Sequence, residues 1–102
     1  LYNYLKTLKE PIYGIWGMQK NKLPEQFIKS FKKIFKKLVT VPIANEPNAL
    51  TAIELQNIGQ KYIPTIAAQN VTSALRQISN NERKTIVIFG SLYLIGDVLS
   101  KN

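Results

Sequence analysis

Two hydrophobic spacings alternate along this chain. Runs of consecutive apolar, β-branched and aromatic residues at 12–16, 38–43, 63–67 and 85–89 read as short strands. The last of these, Thr85 to Phe89, has no polar alternation among its four apolar residues, the pattern of a strand buried on both faces of a parallel sheet. Pro42 belongs at the end of its strand, and Pro64 marks an edge strand, because proline cannot donate a ladder hydrogen bond. Between the runs the apolar residues recur at helical spacing. Leu1, Leu5 and Leu8, with Tyr4, predict a first amphipathic helix that Pro11 stops. Pro24 and Glu25 open a second, with Phe27, Ile28, Phe31, Ile34, Phe35 and Leu38 on one side and Lys29, Lys32, Lys33, Lys36 and Lys37 on the other. Thr51 and Glu54 fit a capping box for a third helix, buried through Leu55, Ile58 and Tyr62. Asn70 caps a fourth, buried through Val71, Ala74, Leu75 and Ile78. Leu92, Leu94, Ile95, Val98 and Leu99 form a fifth after the Gly90-Ser91 turn.

Helix and strand alternate throughout, which predicts an α/β fold with parallel strands joined by right-handed helical crossovers. Parallel strands point their carboxyl ends the same way, so Gly17-Met18 and Gly90-Ser91 should share the rim where open α/β sheets bind ligands. Ser91 has two available roles there. Its hydroxyl can cap the last helix, or it can join the helix N-terminus in binding a carboxylate or phosphate. Tyr93 either lines the same cleft or packs on the surface. Lys20 and Lys22 follow the first strand's exit, where an ammonium can meet an anion or stay solvated. Glu46 and Asp97 have no second carboxylate nearby in sequence and read as surface residues.

Composition narrows the chemistry. The 102 residues make one domain with no cysteine and no histidine, so disulfides, thiolates and a nucleophile–histidine pair are excluded. The net charge of +8 invites a nucleic-acid reading. Twelve of the fourteen basic residues are lysine, however, and arginine occurs only at Arg76 and Arg83, so the charge reads as solvated surface with no nucleic-acid partner. No apolar run reaches membrane-spanning length and no signal-peptide pattern occurs, which predicts a soluble cytoplasmic domain without a membrane partner. The chain starts at Leu1, already within a helical pattern, and is expected to be a piece of a longer protein.

The segment Phe89-Gly90-Ser91-Leu92-Tyr93-Leu94-Ile95-Gly96-Asp97-Val98-Leu99 resembles the closing GSLYLxGEVL motif of folylpolyglutamate synthase/dihydrofolate synthase, in the Mur ligase family. Two further segments follow that family in order. Gly17-Met18-Gln19-Lys20-Asn21-Lys22 looks like its GMxxDK turn, and Val41-Pro42-Ile43-Ala44-Asn45-Glu46-Pro47-Asn48-Ala49-Leu50 like its VPIxxEPxxL segment. The turn departs from the pattern at Asn21, where the family has Asp.

The resemblance covers nearly the whole chain but only the C-terminal glutamate-ligase domain of a larger enzyme. It implies a three-layer, Rossmann-like, mainly parallel open sheet with helices on both faces. Residues 1–102 would then form a single domain lacking its first strand and the N-terminal ATPase domain. It further implies an ATP-dependent carbon–nitrogen ligase of folate biosynthesis, adding L-glutamate to dihydropteroate or folate through an acyl phosphate. ATP and Mg²⁺ would serve the full-length enzyme, the DxAHNP segment and P-loop would lie outside this piece, and the piece alone would bind neither cofactor and be inactive. Substrate-binding residues carried over by the motifs are Ser91, Gly90, Tyr93 and Lys22; no catalytic and no metal-binding residue is assigned. The alternative is a stand-alone α/β module that binds a small anion or nucleotide without catalysis.

Overall fold

The computed structural model describes residues 10–79 and 84–90. The predicted helices before Pro11 and after Ser91, and most of the turn before Lys84, lie outside the described residues. β1 (Ile12–Gly17) is buried at all six positions. It pairs in parallel with β2 (Lys37–Thr40) on one side and with β4 (Thr85–Gly90) on the other. β3 (Thr65–Ala67) pairs with β2, giving a parallel four-stranded sheet in the order β3-β2-β1-β4. The first three strands thus step outward in one direction, and the chain then crosses back to add β4 beside β1.

This order corrects one expectation. β1 and β2 have strand neighbours on both sides, and it is β1 that is buried throughout. Among the described residues β4 has a single strand neighbour, and Ile86 is 37% exposed while Phe89 is buried. The edge placement expected of the strand after Pro64 holds for β3.

Alternation along β1 divides the core into two layers. Ile12 and Trp16 face α1 (Pro24–Lys29) and α2 (Ala52–Gly59), joining Ile28, Phe31, Phe35, Leu38, Leu55 and Phe89. Tyr13 and Ile15 face α3 (Val71–Ile78), joining Val39, Val41, Ala74 and Ile78. Helices therefore cover both faces, as the α/β pattern requires. Gly14 makes the first layer possible. A Cβ there would stand 2.7 Å from both Phe89 Cε1 and Leu38 Cδ2, so only hydrogen leaves room for the Phe89 ring.

The second predicted helix is much shorter than its apolar stripe. α1 ends at Lys29, and the chain continues in tight turns through Phe31 N–H to Ile28 O (3.0 Å) and Ile34 N–H to Phe31 O (2.9 Å). Ser30 Oγ donates to the Phe27 carbonyl at 2.7 Å, a local bond that competes with helical ones. The reason is tertiary. Lys37 must lie opposite Tyr13 to start β2, so Leu38 becomes a strand residue while Phe27, Phe31 and Phe35 still gather on Phe89.

The helix starts follow their local chemistry. Thr51 Oγ1 accepts from Glu54 N–H at 3.1 Å and Glu54 Oε1 accepts from Thr51 N–H at 2.9 Å, the predicted capping box. Asn70 Oδ1 accepts from Ser73 N–H at 2.8 Å. α3 buries a narrower stripe than expected: Val71, Ala74 and Ile78 are covered, while Leu75, about 100° round the helix from Ala74, is 39% exposed.

Candidate functional site at the carboxyl rim

β2 and β4 lie on opposite sides of β1, so the strand order reverses at β1, and the carboxyl rim beside such a reversal is where open α/β sheets form a ligand crevice. Gly17 and Gly90 are register partners there, so the two predicted strand exits do share one rim. Gly17, the last residue of β1, is itself buried. Trp16 lies directly beneath, fully buried and stacked on Phe89 with ring centroids 6.4 Å apart. Among the described residues its indole N–H has no hydrogen-bond partner, a feature that sequence patterning did not mark.

After Gly17 the chain is anchored by Met18, 3% exposed, and then stitched to the loop that follows β2. Lys20 N–H donates to Asn48 O at 2.8 Å, Leu50 N–H donates to Met18 O at 3.0 Å, and Gln19 bridges Ala49. Glu46 accepts from Asn48 N–H at 3.0 Å and so holds that loop, in keeping with a structural role. The stitched loops present a 3-10 turn, Lys20–Lys22, with both lysines exposed. Leu23 follows at φ 52°, ψ 62° and is 62% exposed, an unusual setting for a large apolar residue.

Two acids near the rim are engaged. Backbone and side-chain hydrogen bonds to Thr51, with a smaller contribution from the Lys20 charge, hold Glu54 below the usual carboxylate value. Glu25, at the start of α1, accepts from Tyr62 Oη at 2.8 Å and from Lys61 Nζ at 3.2 Å. The Tyr62 bond, then Lys61, lowers the Glu25 pKa, and the same bond raises that of Tyr62. A lowered carboxyl pKa gives stability that is present above the unfolded value and lost as pH falls through the folded one. Glu25→Gln is expected to bring the Tyr62 titration back toward that of ordinary tyrosine, read by NMR of the ring carbons; an unchanged titration rejects the pairing.

Two open cavities flank this region. One, of about 410 Å³, is lined by Leu23, Pro24, Glu25, Gln26, Lys29 and Tyr62. The other, of about 520 Å³, lies past the ends of β2 and β3, between Pro42, the start of α2 with Ile53, and the Ala67–Ala68–Gln69 segment. Sequence reasoning passed over both. The available signal was an apolar residue off the buried stripe, such as Ile53, which is 58% exposed.

Of the four site residues expected from sequence, the structure places Gly90 beside Gly17 and puts Lys22 on the exposed turn after β1. Ser91 and Tyr93 lie outside the described residues. Among the described residues no three His, Cys, Asp or Glu side chains come together as a metal-binding group, and the sequence has no phosphate-binding glycine loop. Nor, among the described residues, is any helix long and apolar enough to cross a membrane.

A family model described as dihydrofolate synthetase, C-terminal domain, matches residues 3–101. The chain belongs to this family. The dihydrofolate synthetase C-terminal fold also appears in solved relatives. Escherichia coli FolC in complex with DHPP and ADP is 16% identical with a TM-score of 0.83, over 98% of this chain and 24% of FolC. Mycobacterium tuberculosis folylpolyglutamate synthase complexed with ADP and AMPPCP is 17% identical with a TM-score of 0.77, over 89% of this chain and 23% of that one. Thermotoga maritima folylpolyglutamate synthase is 24% identical with a TM-score of 0.67, over 89% and 21% of the two chains. This family domain thus spans roughly a quarter of the length of those enzymes. No curated protein matches the chain.

Proposed function

We propose that this domain is the glutamate-side, C-terminal part of a cytoplasmic ATP-dependent amide ligase that adds L-glutamate to dihydropteroate or folate. The observation that carries the reading is the Gly17–Gly90 pair at the strand switch point, with the Lys22 turn rising from the same strand exit, in a member of the dihydrofolate synthetase family. Relatives crystallised with ADP, and in one case with DHPP, support it.

The division of labour follows from side-chain chemistry. Without histidine or cysteine, and with Glu46 and Glu54 held by their own loops, this chain contributes binding and charge neutralisation. Gly90 lets substrate approach the backbone closely. Ser91, the residue bonded to Gly90, takes a glutamate carboxylate, the Lys22 ammonium offsets its charge, and Tyr93 lines the cleft. ATP with Mg²⁺, held by an N-terminal ATPase domain of the same longer chain, supplies activation of the acceptor carboxylate as an acyl phosphate. Nucleic acid and membrane have no part in this.

The test is ATP-dependent incorporation of labelled L-glutamate into dihydropteroate and folate. A chain joining this domain to its ATPase domain is expected to ligate, and residues 1–102 alone are expected to give no product. Ligation by residues 1–102 alone would overturn the division of labour, and absence of ligation by the longer chain would overturn the function.

A further inference from the structure

Among the described residues β3 forms one edge of the sheet, and an open edge is a template on which another strand can add. Its ladder shows which groups are at issue. Leu38 N–H donates to Pro64 O at 2.9 Å and Ala68 N–H donates to Thr40 O at 2.8 Å, so Pro64, Ile66 and Ala68 turn toward β2. Successive residues of a strand point their backbone groups to opposite sides, so those of Thr65 and Ala67 face outward.

Two side chains meet Thr65 there. Gln60 Oε1 accepts from Thr65 N–H at 2.9 Å, and Gln56 Nε2 donates to Thr65 O at 3.4 Å. One acceptor and one donor for the same residue is what a neighbouring parallel strand supplies. Gln56 and Gln60 are four residues apart, so both leave α2 and its last turn on one face. Gly59 lets that face come close, since a Cβ there would stand 2.8 Å from Thr65 Oγ1. Thr65 is 4% exposed under this cover, although it sits on the edge strand. Beyond it the edge opens at Ala67, which lines the cavity of about 520 Å³ with Ala68 and the exposed Ile53. No charged side chain lines that cavity, so the usual electrostatic protection of an edge is missing at this point.

We infer that the Gln56 and Gln60 carboxamides act as a surrogate strand that keeps a second copy of this chain from adding to β3. A second copy brings the same edge, and two such edges related by a two-fold axis pair antiparallel through Thr65 and Ala67. This guard concerns association alone and is independent of the ligase reaction.

The test compares three forms of the full-length protein by sedimentation velocity over a range of concentrations, with folding checked by circular dichroism. They are wild type, the double variant Gln56→Ala/Gln60→Ala, and Gln60→Glu, whose carboxylate still accepts the Thr65 N–H. The double variant is expected to dimerise at concentrations about tenfold lower than wild type, a scale set by freeing two hydrogen bonds of ordinary net strength. Gln60→Glu should match wild type. Adding Ala67→Pro to the double variant removes an outward N–H without touching the β2 ladder, and should restore wild-type behaviour. A folded double variant that associates no more than wild type overturns the guard. So does association that Ala67→Pro leaves in place, because the contact then lies elsewhere. If the double variant does not fold, the single Gln60→Ala is read by the same criteria together with hydrogen exchange. A Thr65 amide that still exchanges as slowly as in wild type overturns the inference.

Discussion

Phe89→Ala is expected to destabilise the domain by about 4 kcal/mol, in the range for emptying a buried aromatic site. Few single changes should cost more here. The Phe89 ring is 5% exposed, stacks on Phe35 at 5.1 Å with an interplanar angle of 4°, and also meets Phe27, Phe31 and Trp16. It is therefore the side chain through which β4 grips the α1 layer. A domain of this size commonly has about 5–15 kcal/mol of stability in all, so the variant should unfold at much lower urea with an unchanged m value. Gly14 gives the sharper form of the test. Gly14→Ala pushes a methyl group to 2.7 Å from Phe89 Cε1, and overpacking of this kind costs about 1–3 kcal/mol. With Phe89 already truncated, half of that clash is gone, so the double variant should be less destabilised than the two single effects added. Strict additivity in urea titrations would show that the glycine and the ring do not share one space.

If the proposed ligase function holds, Ser91→Ala and Lys22→Met in the full-length protein are each expected to lower kcat/KM for L-glutamate by about 10- to 100-fold. A hydrogen bond to a charged group contributes about 1.5–3 kcal/mol, which sets that scale. The loss should appear in the KM for glutamate and leave the KM for ATP unchanged, because the nucleotide is assigned to the other domain. Lys22→Arg and Ser91→Thr should recover part of the activity by keeping the charge and the hydroxyl. If Ser91 only caps the last helix, Ser91→Ala will lower the melting temperature while the glutamate KM stays put. If Lys22 is merely solvated, Lys22→Met will be silent.

Much of the fold was legible because its causes are local. A run such as 85–89 can bury itself only as a strand, and the Thr51–Glu54 and Asn70–Ser73 bonds are made within a single turn of chain. Once the strands were read as parallel, the shared rim of Gly17 and Gly90 followed from direction alone. The candidate site was legible to the same extent: its glycines and the Lys22 turn came from strand exits, while the cavity beside Leu23 did not.

What sequence by itself determined was thus the kind and order of elements, the helix starts, and which strand ends face the same way. Tertiary structure alone decided that β1 and not β4 is the buried central strand, because a strand's neighbours depend on hydrogen-bond ladders between segments distant in the chain. It also cut the lysine-faced helix short, since Lys37 had to reach its place opposite Tyr13. The Glu25–Tyr62 bond and the fit of Phe89 over Gly14 likewise join residues far apart in sequence. Periodicity carries information over a few residues, whereas these contacts exist only after the sheet has brought its strands together.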